Sequence, residues 1–553
     1  MPPRRRAGSR CPRCRALLAK TVRAASHRFL LTAASILAAV VIPACGDTGG
    51  GTPGATPEPP NTLHVLAGSE LTDIASMAGD IRDKTGVNLV FDYVGTLDGS
   101  EQIANGDIGN HQLAWFSSTK YLSLLPGGAA KLTTSKRIMT SPVILGVKHH
   151  VAAALGWSGN PNVSWKDVAQ AAQSGQFKYG MTNPSSSNTG FSALVGVATA
   201  LSGTSNALTS ADVNAAALTG FFKGQALTAG SSGFLSDTFT HNQASADGLI
   251  NYESVLLGLN AGGQLAEKLD LIYPKDGIVT ADYPLVLLDP TKRDLYDKLT
   301  TYLTSTDFQT KVMTQTYRRP TTAAVALDSR FPTQVLIETS FPSSLDVVDS
   351  LIQQYLDAFS KPSHTIYVLD LSGSMQGDRL SQLQAAFHIL TDQSAQGTAR
   401  FARFRSREKV TIITFSDTVL DQKDFDIADA TQPNALKPIS DYVDSLQANG
   451  GTAIYSAMDQ AFQVAATAKQ TDPGDFVSVV LMTDGMNNEG ESSDTFLNNI
   501  ATNGPHDVPA FPILFGEGDP TELTQIAQKT NGKLFDSTTT SLALTFKQIR
   551  GYQ

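Results

Sequence analysis

Beyond residue 60 the chain alternates short apolar runs with longer stretches in which apolar residues recur every three or four positions. The runs LHVLAG (63–68), VNLVFDYVG (87–95), LAWFSS (113–118), PVILGVK (142–148), KYGMTN (178–183), GLINYE (248–253), LDLIYP (269–274) and YPLVLL (283–288) predict strands. The periodic stretches between them, such as Leu71 to Lys84 and Lys166 to Ser174, predict helices. Strands that alternate with helices imply parallel α/β layers. Pro332 and Pro342 punctuate the end of this region, and Leu345 to Phe359 has the periodicity of a connecting helix.

A second α/β run begins at His364. Its strands are TIYVLDL (365–371), KVTIITF (409–415), FVSVVLMTD (476–484), VPAFPILFG (508–516) and GKLFDS (532–537), with a short edge strand at 423–428. Helices are expected over Asp378 to Asp392, Asp441 to Gln447, Tyr455 to Ala468, Asp494 to Ala501, Thr521 to Lys529 and Ser541 to Ile549. This order predicts a doubly wound sheet, whose ligands bind at the carboxyl ends of the strands. Only Ser360 to Ser363 separate the connecting helix from this sheet. So short a joint predicts contact between the two domains.

With 553 residues the chain is too long for one core. Charge divides it further. Residues 1–44 hold nine Lys/Arg and no Asp/Glu, so the remainder has a formal charge of −18. Such acidity excludes non-specific binding to nucleic acid, which needs a basic face. The basic region from Arg4 to Arg28, followed by the apolar stretch Phe29 to Val41, predicts a cleaved export signal. It ends Ile42-Pro43-Ala44-Cys45, which resembles the lipobox of bacterial lipoproteins. The resemblance implies acylation of Cys45 and an anchor on the outer face of the cytoplasmic membrane. Cys11 and Cys14 form a Cys-Pro-Arg-Cys pair with no second half for a zinc site, in a segment expected to be removed. Residues 46–60, GDTGGGTPGATPEPP, predict a flexible tether.

Three loops at strand ends of the second run carry chemistry. The first holds Asp370, Ser372 and Ser374; the second is Asn449-Gly450-Gly451-Thr452; the third is Thr483-Asp484-Gly485. First and fourth strands of a doubly wound sheet can be neighbours, so the loops could converge. Two carboxylates and three hydroxyls are hard oxygen donors, suited to Mg²⁺, Mn²⁺ or Ca²⁺ rather than zinc. A haloacid-dehalogenase-type phosphatase needs a second Asp where Ser372 stands. Leu371 and Met375 break a nucleophile elbow, and the Gly-Lys-Ser/Thr of a P-loop is absent here. Helix capping could account for one serine.

The pattern Asp-x-Ser-x-Ser, then Thr after Gly-Gly, then Thr-Asp-Gly resembles the metal-ion-dependent adhesion site of von Willebrand factor type A domains, over about residues 364–550. The resemblance implies that Asp370, Ser372, Ser374, Thr452 and Asp484 hold a divalent ion, directly or through water. One coordination position would stay open for an acidic group of a protein partner. It also implies metal-linked movement of the last helix, Ser541 to Ile549.

In the first run, loops around Ser69, Ser118 and the stretch Asn183 to Gly190 lead from strands into helices. Hydroxyls and free N–H groups at helix N-termini make polar-ligand sites. The region resembles two-lobed periplasmic-type solute-binding proteins related to sulfate and molybdate binders, with GMTNPSSSNTGFSAL as the nearest piece. That resemblance implies one lobe from residues 61–150 and 270–335, the other from 151–265, and a small solute between them. Ser69, Ser118, Ser187, Thr189 and Glu253 are the candidate solute contacts. Glu253 would repel a dianion unless paired or protonated. His149-His150 is expected to be a solvated strand end.

The expected organisation is a signal peptide (1–44), a lipid-anchored linker (45–60), a solute-binding-protein-like domain (61–335), a connecting segment (336–363) and a Rossmann-like type A domain (364–553). The expected function is a surface-anchored, non-enzymatic binding protein. The alternative is a substrate-binding component of an ABC-type transporter with an accessory docking domain. A metal-dependent hydrolase fits less well, because the metal loops offer no general base beyond the ligands themselves.

Overall fold

The computed structural model describes residues 58–553 apart from Thr333, His506 and Thr539. The expected export signal, Cys11, Cys14, the expected acylation site Cys45 and most of the linker lie outside the described residues. Among the described residues no helix is long and apolar enough to cross a membrane.

The N-terminal domain contains β1 (Thr62–Ala67), β2 (Asn88–Tyr93), β3 (Leu113–Trp115), β4 (Ser135–Arg137), β5 (Met139–Lys148), β6 (Tyr179–Thr182), β7 (Gln225–Ala229), β8 (Gly248–Tyr252), β9 (Leu269–Ile272), β10 (Thr280–Ala281), β11 (Pro284–Leu287) and β12 (Arg319–Pro320). One sheet has the order β2-β1-β3-β11-β4. The other has the order β10-β5-β8-β6-β7, with β9 and β12 also paired to β5. Each sheet is the centre of a lobe. The chain passes between the lobes at Ile138, between β4 and β5, and at Asp282–Tyr283, between β10 and β11. Residues 142–148 and 270–272 were expected in the first lobe, but both lie in the second sheet. There β5 pairs antiparallel with β8 and β9. Local patterning marks both segments as strands; only long-range pairing decides which sheet takes them. The short strand β7, QALTA, was not expected, since its five residues carry too little apolar alternation to stand out.

The connecting helix runs from Leu345 to Gln354 and continues as a wider π turn through Phe359. Val348, Leu351, Ile352, Tyr355 and Phe359 are buried in the first domain's core. The Phe222 ring meets Tyr355 edge-on at 4.9 Å and stacks on Phe359 at 6.2 Å. This segment therefore belongs structurally to the second lobe.

The C-terminal domain contains β13 (Ser363–Asp370), β14 (Glu408–Phe415), β15 (Val419–Ile427), β16 (Phe476–Thr483), β17 (Ala510–Leu514) and β18 (Phe535–Asp536). Their order is β15-β14-β13-β16-β17-β18, parallel except for the edge strand β15. Successive residues of β13 serve opposite faces: Tyr367 and Leu369 enter one core, Ile366 and Val368 the other. Strand order reverses between β13 and β16, which creates the crevice that holds the candidate site.

The two domains touch, as the short joint predicts. Glu101 accepts hydrogen bonds from the Thr398 N–H (2.7 Å) and hydroxyl (2.8 Å). Lys547 pairs with Asp98 at 2.8 Å, and the Tyr552 ring meets Phe234 edge-on at 5.0 Å.

Candidate functional site

Asp370 ends β13 and is fully buried. One of its oxygens accepts the Ser372 N–H at 2.7 Å; the other accepts the Thr483 hydroxyl at 2.6 Å. Ser372 and Ser374 bring their hydroxyls within 2.9 Å of each other. Ser374 then donates to Asp484 at 2.7 Å, so the first and third loops form one network. The parallel pairing of β13 with β16 enforces this, since it sets the ends of both strands side by side. Asp484 is also fully buried, and its second oxygen accepts from Arg379.

The second loop is tied to the first by backbone bonds. Gly373 N–H donates to Gly450 O (2.9 Å), and Asn449 N–H donates to Leu371 O (2.7 Å). Gly450 has φ 93°, a left-handed conformation that favours glycine. A Cβ there would lie 3.0 Å from the Asp417 carboxylate, and Gly451 N–H donates to that same carboxylate. Thr452 is buried, with its N–H held by Asn488 Oδ1 at 2.8 Å. A Cβ built on Gly485 would lie 3.8 Å from both Ser374 Oγ and Thr452 Oγ1, so all three loops converge on one spot.

The sequence reading missed Thr483, Arg379, Asn488 and Asp417. Thr483 stood inside a motif already singled out; the other three become neighbours only in three dimensions. Among the described residues no three His, Cys, Asp or Glu side chains converge to hold a metal ion. The cluster has two carboxylates and completes its set with hydroxyls. That set fits a hard divalent cation and leaves such an ion electrophilic. Burial pushes the Asp370 carboxyl above the usual carboxylate range, against hydrogen bonds from Thr483 and Ser372, while the Asp484 carboxylate adds to the rise. Two buried carboxylates served by a single guanidinium are what a bound cation would relieve.

In the N-terminal domain the five solute candidates separate. Ser69 is exposed and lines a cleft of about 380 Å³ with Glu70, Asp73, Ser231, Ser254 and Arg318. Ser118 is buried and accepts the Lys120 N–H at 3.2 Å, a local turn role. Ser187 is buried at the start of the helix Asn188–Ser202. Thr189 is buried too, and its hydroxyl has no hydrogen-bond partner among the described residues. Glu253 differs from expectation. It is fully buried and bound by Arg319 at 2.6 and 2.7 Å and by the Tyr273 hydroxyl at 2.5 Å. Its charge is already neutralised inside the protein, so it is not a free cleft carboxylate. Ser231 and Arg318 were missed, although GSSGF (230–234) has the same strand-to-helix style as the loops that were singled out. His149 and His150 are exposed and pair with Asp270 and Glu267, acidic partners more than a hundred residues away in sequence.

Residues 366–549 match the family model of the von Willebrand factor type A domain. The C-terminal third carries a type A domain. Human inter-alpha-trypsin inhibitor heavy chain H6 is 27% identical over 192 residues, covering 33% of this chain and 14% of that protein. The chain thus spans about a seventh of that relative's length. The N-terminal part resembles two-lobed solute-binding proteins. The periplasmic binding protein AfuA from Actinobacillus pleuropneumoniae is 13% identical, with a TM-score of 0.42 over 54% of this chain and 98% of that one. The sulfate-binding protein SubI from Mycobacterium tuberculosis is 19% identical, with a TM-score of 0.40 over 52% and 98%.

The type A domain lies against the mouth of the cleft between the lobes. A cavity of about 250 Å³ is lined by Ser69, Gly95 and Ser186 from the lobes and by Lys547, Gln548 and Gly551 from the type A domain. Asn183 Nδ2 donates to the Arg550 carbonyl at 3.5 Å. The last helix, Leu542–Arg550, therefore contacts the Asn183–Ser186 turn that the sequence marked as a ligand loop.

Proposed function

We propose that this protein is an exported, membrane-anchored binding protein whose type A domain engages an acidic group of a protein partner through a divalent cation. Asp370, Ser372, Ser374, Thr452 and Asp484 would hold the ion, Mg²⁺ or alternatively Mn²⁺ or Ca²⁺. When bound, the ion supplies an electrophilic centre for a partner carboxylate. The observation that carries this reading is the hydrogen-bonded network Asp370–Thr483 and Ser372–Ser374–Asp484 at the strand-order reversal. The N-terminal domain would bind a small polar solute in the cleft at Ser69, Ser231 and Arg318. The role is binding rather than catalysis, and anchoring at Cys45 would keep both domains outside the cytoplasmic membrane. The transporter alternative has less support, because the last helix of the type A domain rests on loops at the cleft mouth.

Calorimetric titration of Mg²⁺ and Mn²⁺ into the soluble chain beginning at Glu58 tests the metal reading. Saturable binding is expected in the parent chain. Asp370→Ala should weaken it by more than about 100-fold, beyond the loss of an outer partner. Thr483→Val, which removes only the hydroxyl that orients Asp370, should cost about 10–100-fold. No binding in the parent, or equal binding in all three chains, would reject the reading.

A further inference from the structure

A second cavity lies at the opposite end of the type A sheet, where β13, β14 and β16 begin and meet the second lobe. It has a volume of about 440 Å³, within the range of small-ligand sites. One wall is apolar, formed by Leu227, Phe234, Tyr355, Leu356, Phe511 and Tyr552. The other wall holds the cations Lys361, Arg405, Arg407 and Lys469 and the carboxylates Asp475 and Asp507.

These charges do not cancel. Lys469 is paired with Asp507 at 2.7 Å. Arg407 is fixed by backbone carbonyls, donating to Asp357 O and Ser360 O at 2.9 Å each, and has no carboxylate partner among the described residues. Arg405 is 7% exposed. One terminal nitrogen donates to the Arg550 carbonyl at 3.1 Å, while its Nε has no hydrogen-bond partner among the described residues. The neighbouring carboxylate, Glu408, is already held on both oxygens by Arg550, at 2.6 and 2.8 Å. The Arg405–Arg550–Glu408 group thus keeps one net positive charge in the interior. Burial and the Arg550 guanidinium pull Arg405 down to about 10, so it stays protonated at neutral pH. Buried cations are ordinarily paired, and guanidinium is suited to oxyanions.

We infer that this junction cavity is a binding site for a small organic oxyanion, a carboxylate or phosphate ester with an apolar body. Its head group would sit on Arg405 with Arg407 and Lys361, and its body against the aromatic wall. Because both domains line the cavity, an occupant would bridge them and stabilise their junction by mass action. This inference is independent of the metal reading, since the cavity lies at the other ends of the strands.

The test is calorimetry and thermal unfolding of the soluble chain from Glu58 with four probes: octanoate, octyl phosphate, octan-1-ol and inorganic phosphate. Saturable binding of octanoate or octyl phosphate with a rise in Tm is expected, at least tenfold tighter than octan-1-ol or inorganic phosphate. Arg405→Met should weaken that binding at least tenfold. Lys361→Glu changes an exposed residue and tests the same charge if Arg405→Met fails to fold; it should also weaken binding severalfold. Absence of binding by both amphipathic anions, or equal binding in the variants, would overturn the proposal. Octan-1-ol binding as tightly as octanoate would overturn the anion requirement. Inorganic phosphate binding as tightly would overturn the requirement for an apolar body.

Discussion

Replacing Glu408 with alanine is expected to destabilise the type A domain by about 3–5 kcal/mol, the cost of breaking a buried ion pair by removing one partner. Glu408 and Arg550 side chains are 1% and 2% exposed. Glu408 also accepts the Arg405 N–H at 2.9 Å. Arg550 donates further to the carbonyls of Ala402 and Arg403, both at 3.1 Å. This pair ties the end of the last helix to the start of β14. Without Glu408, two guanidiniums would remain buried with no carboxylate between them. Thermal unfolding should show a Tm lower by about 10 °C. The double variant Glu408→Leu/Arg550→Met should recover much of that loss, because it removes both charges. A single-variant loss below about 1 kcal/mol, the range of exposed pairs, would show that the pair is not carrying the helix.

Gly532→Ala should be nearly as damaging, at about 3 kcal/mol. Gly532 follows the helix Pro520–Lys529, with its N–H bonded to Ala527 O at 2.8 Å. A Cβ there would lie 1.7 Å from the backbone carbonyl oxygen of Ala510, the first residue of β17. No side-chain rotation relieves a clash with backbone, so the turn or the strand must shift. Gly79→Ala is the control. Gly79 is exposed in the helix Ala78–Thr85, and nothing lies within 4 Å of its added Cβ. It should stabilise the protein by up to about 1 kcal/mol through helix propensity. Denaturant midpoints for both variants check the pair of expectations; similar midpoints would mean that the close approach at Gly532 is easily relaxed.

Much of the hydroxyl-rich cluster was legible because its residues follow their strands directly in sequence. Asp370 and Asp484 each stand at the end of an apolar run, and a strand's end predicts a loop at the sheet's edge. Ser372 and Ser374 are two and four residues on, so the local chain carries them to the same place. Arg379 and Asn488 were not legible, since nothing local marks a helix arginine or a loop asparagine as the partner of a particular carboxylate. The same limit applies to Glu253 and Arg319, 66 residues apart and bound to each other inside the protein. An acidic residue at a strand end resembles a ligand group until its neutralising partner is located.

The sequence by itself determined the α/β alternation, the doubly wound second sheet, the residues of the hydroxyl-rich cluster and the short joint that brings the domains into contact. Each follows from local periodicity, strand-end position or chain length, properties written into consecutive residues. Tertiary structure alone decided that β5 and β9 join the second lobe, that Glu253 is paired, that the last helix lies at the cleft mouth and that Arg405 is left without a carboxylate. Those are outcomes of pairing between segments far apart in the chain. Whether a buried charge is matched depends on every element packed around it, which no stretch of sequence records.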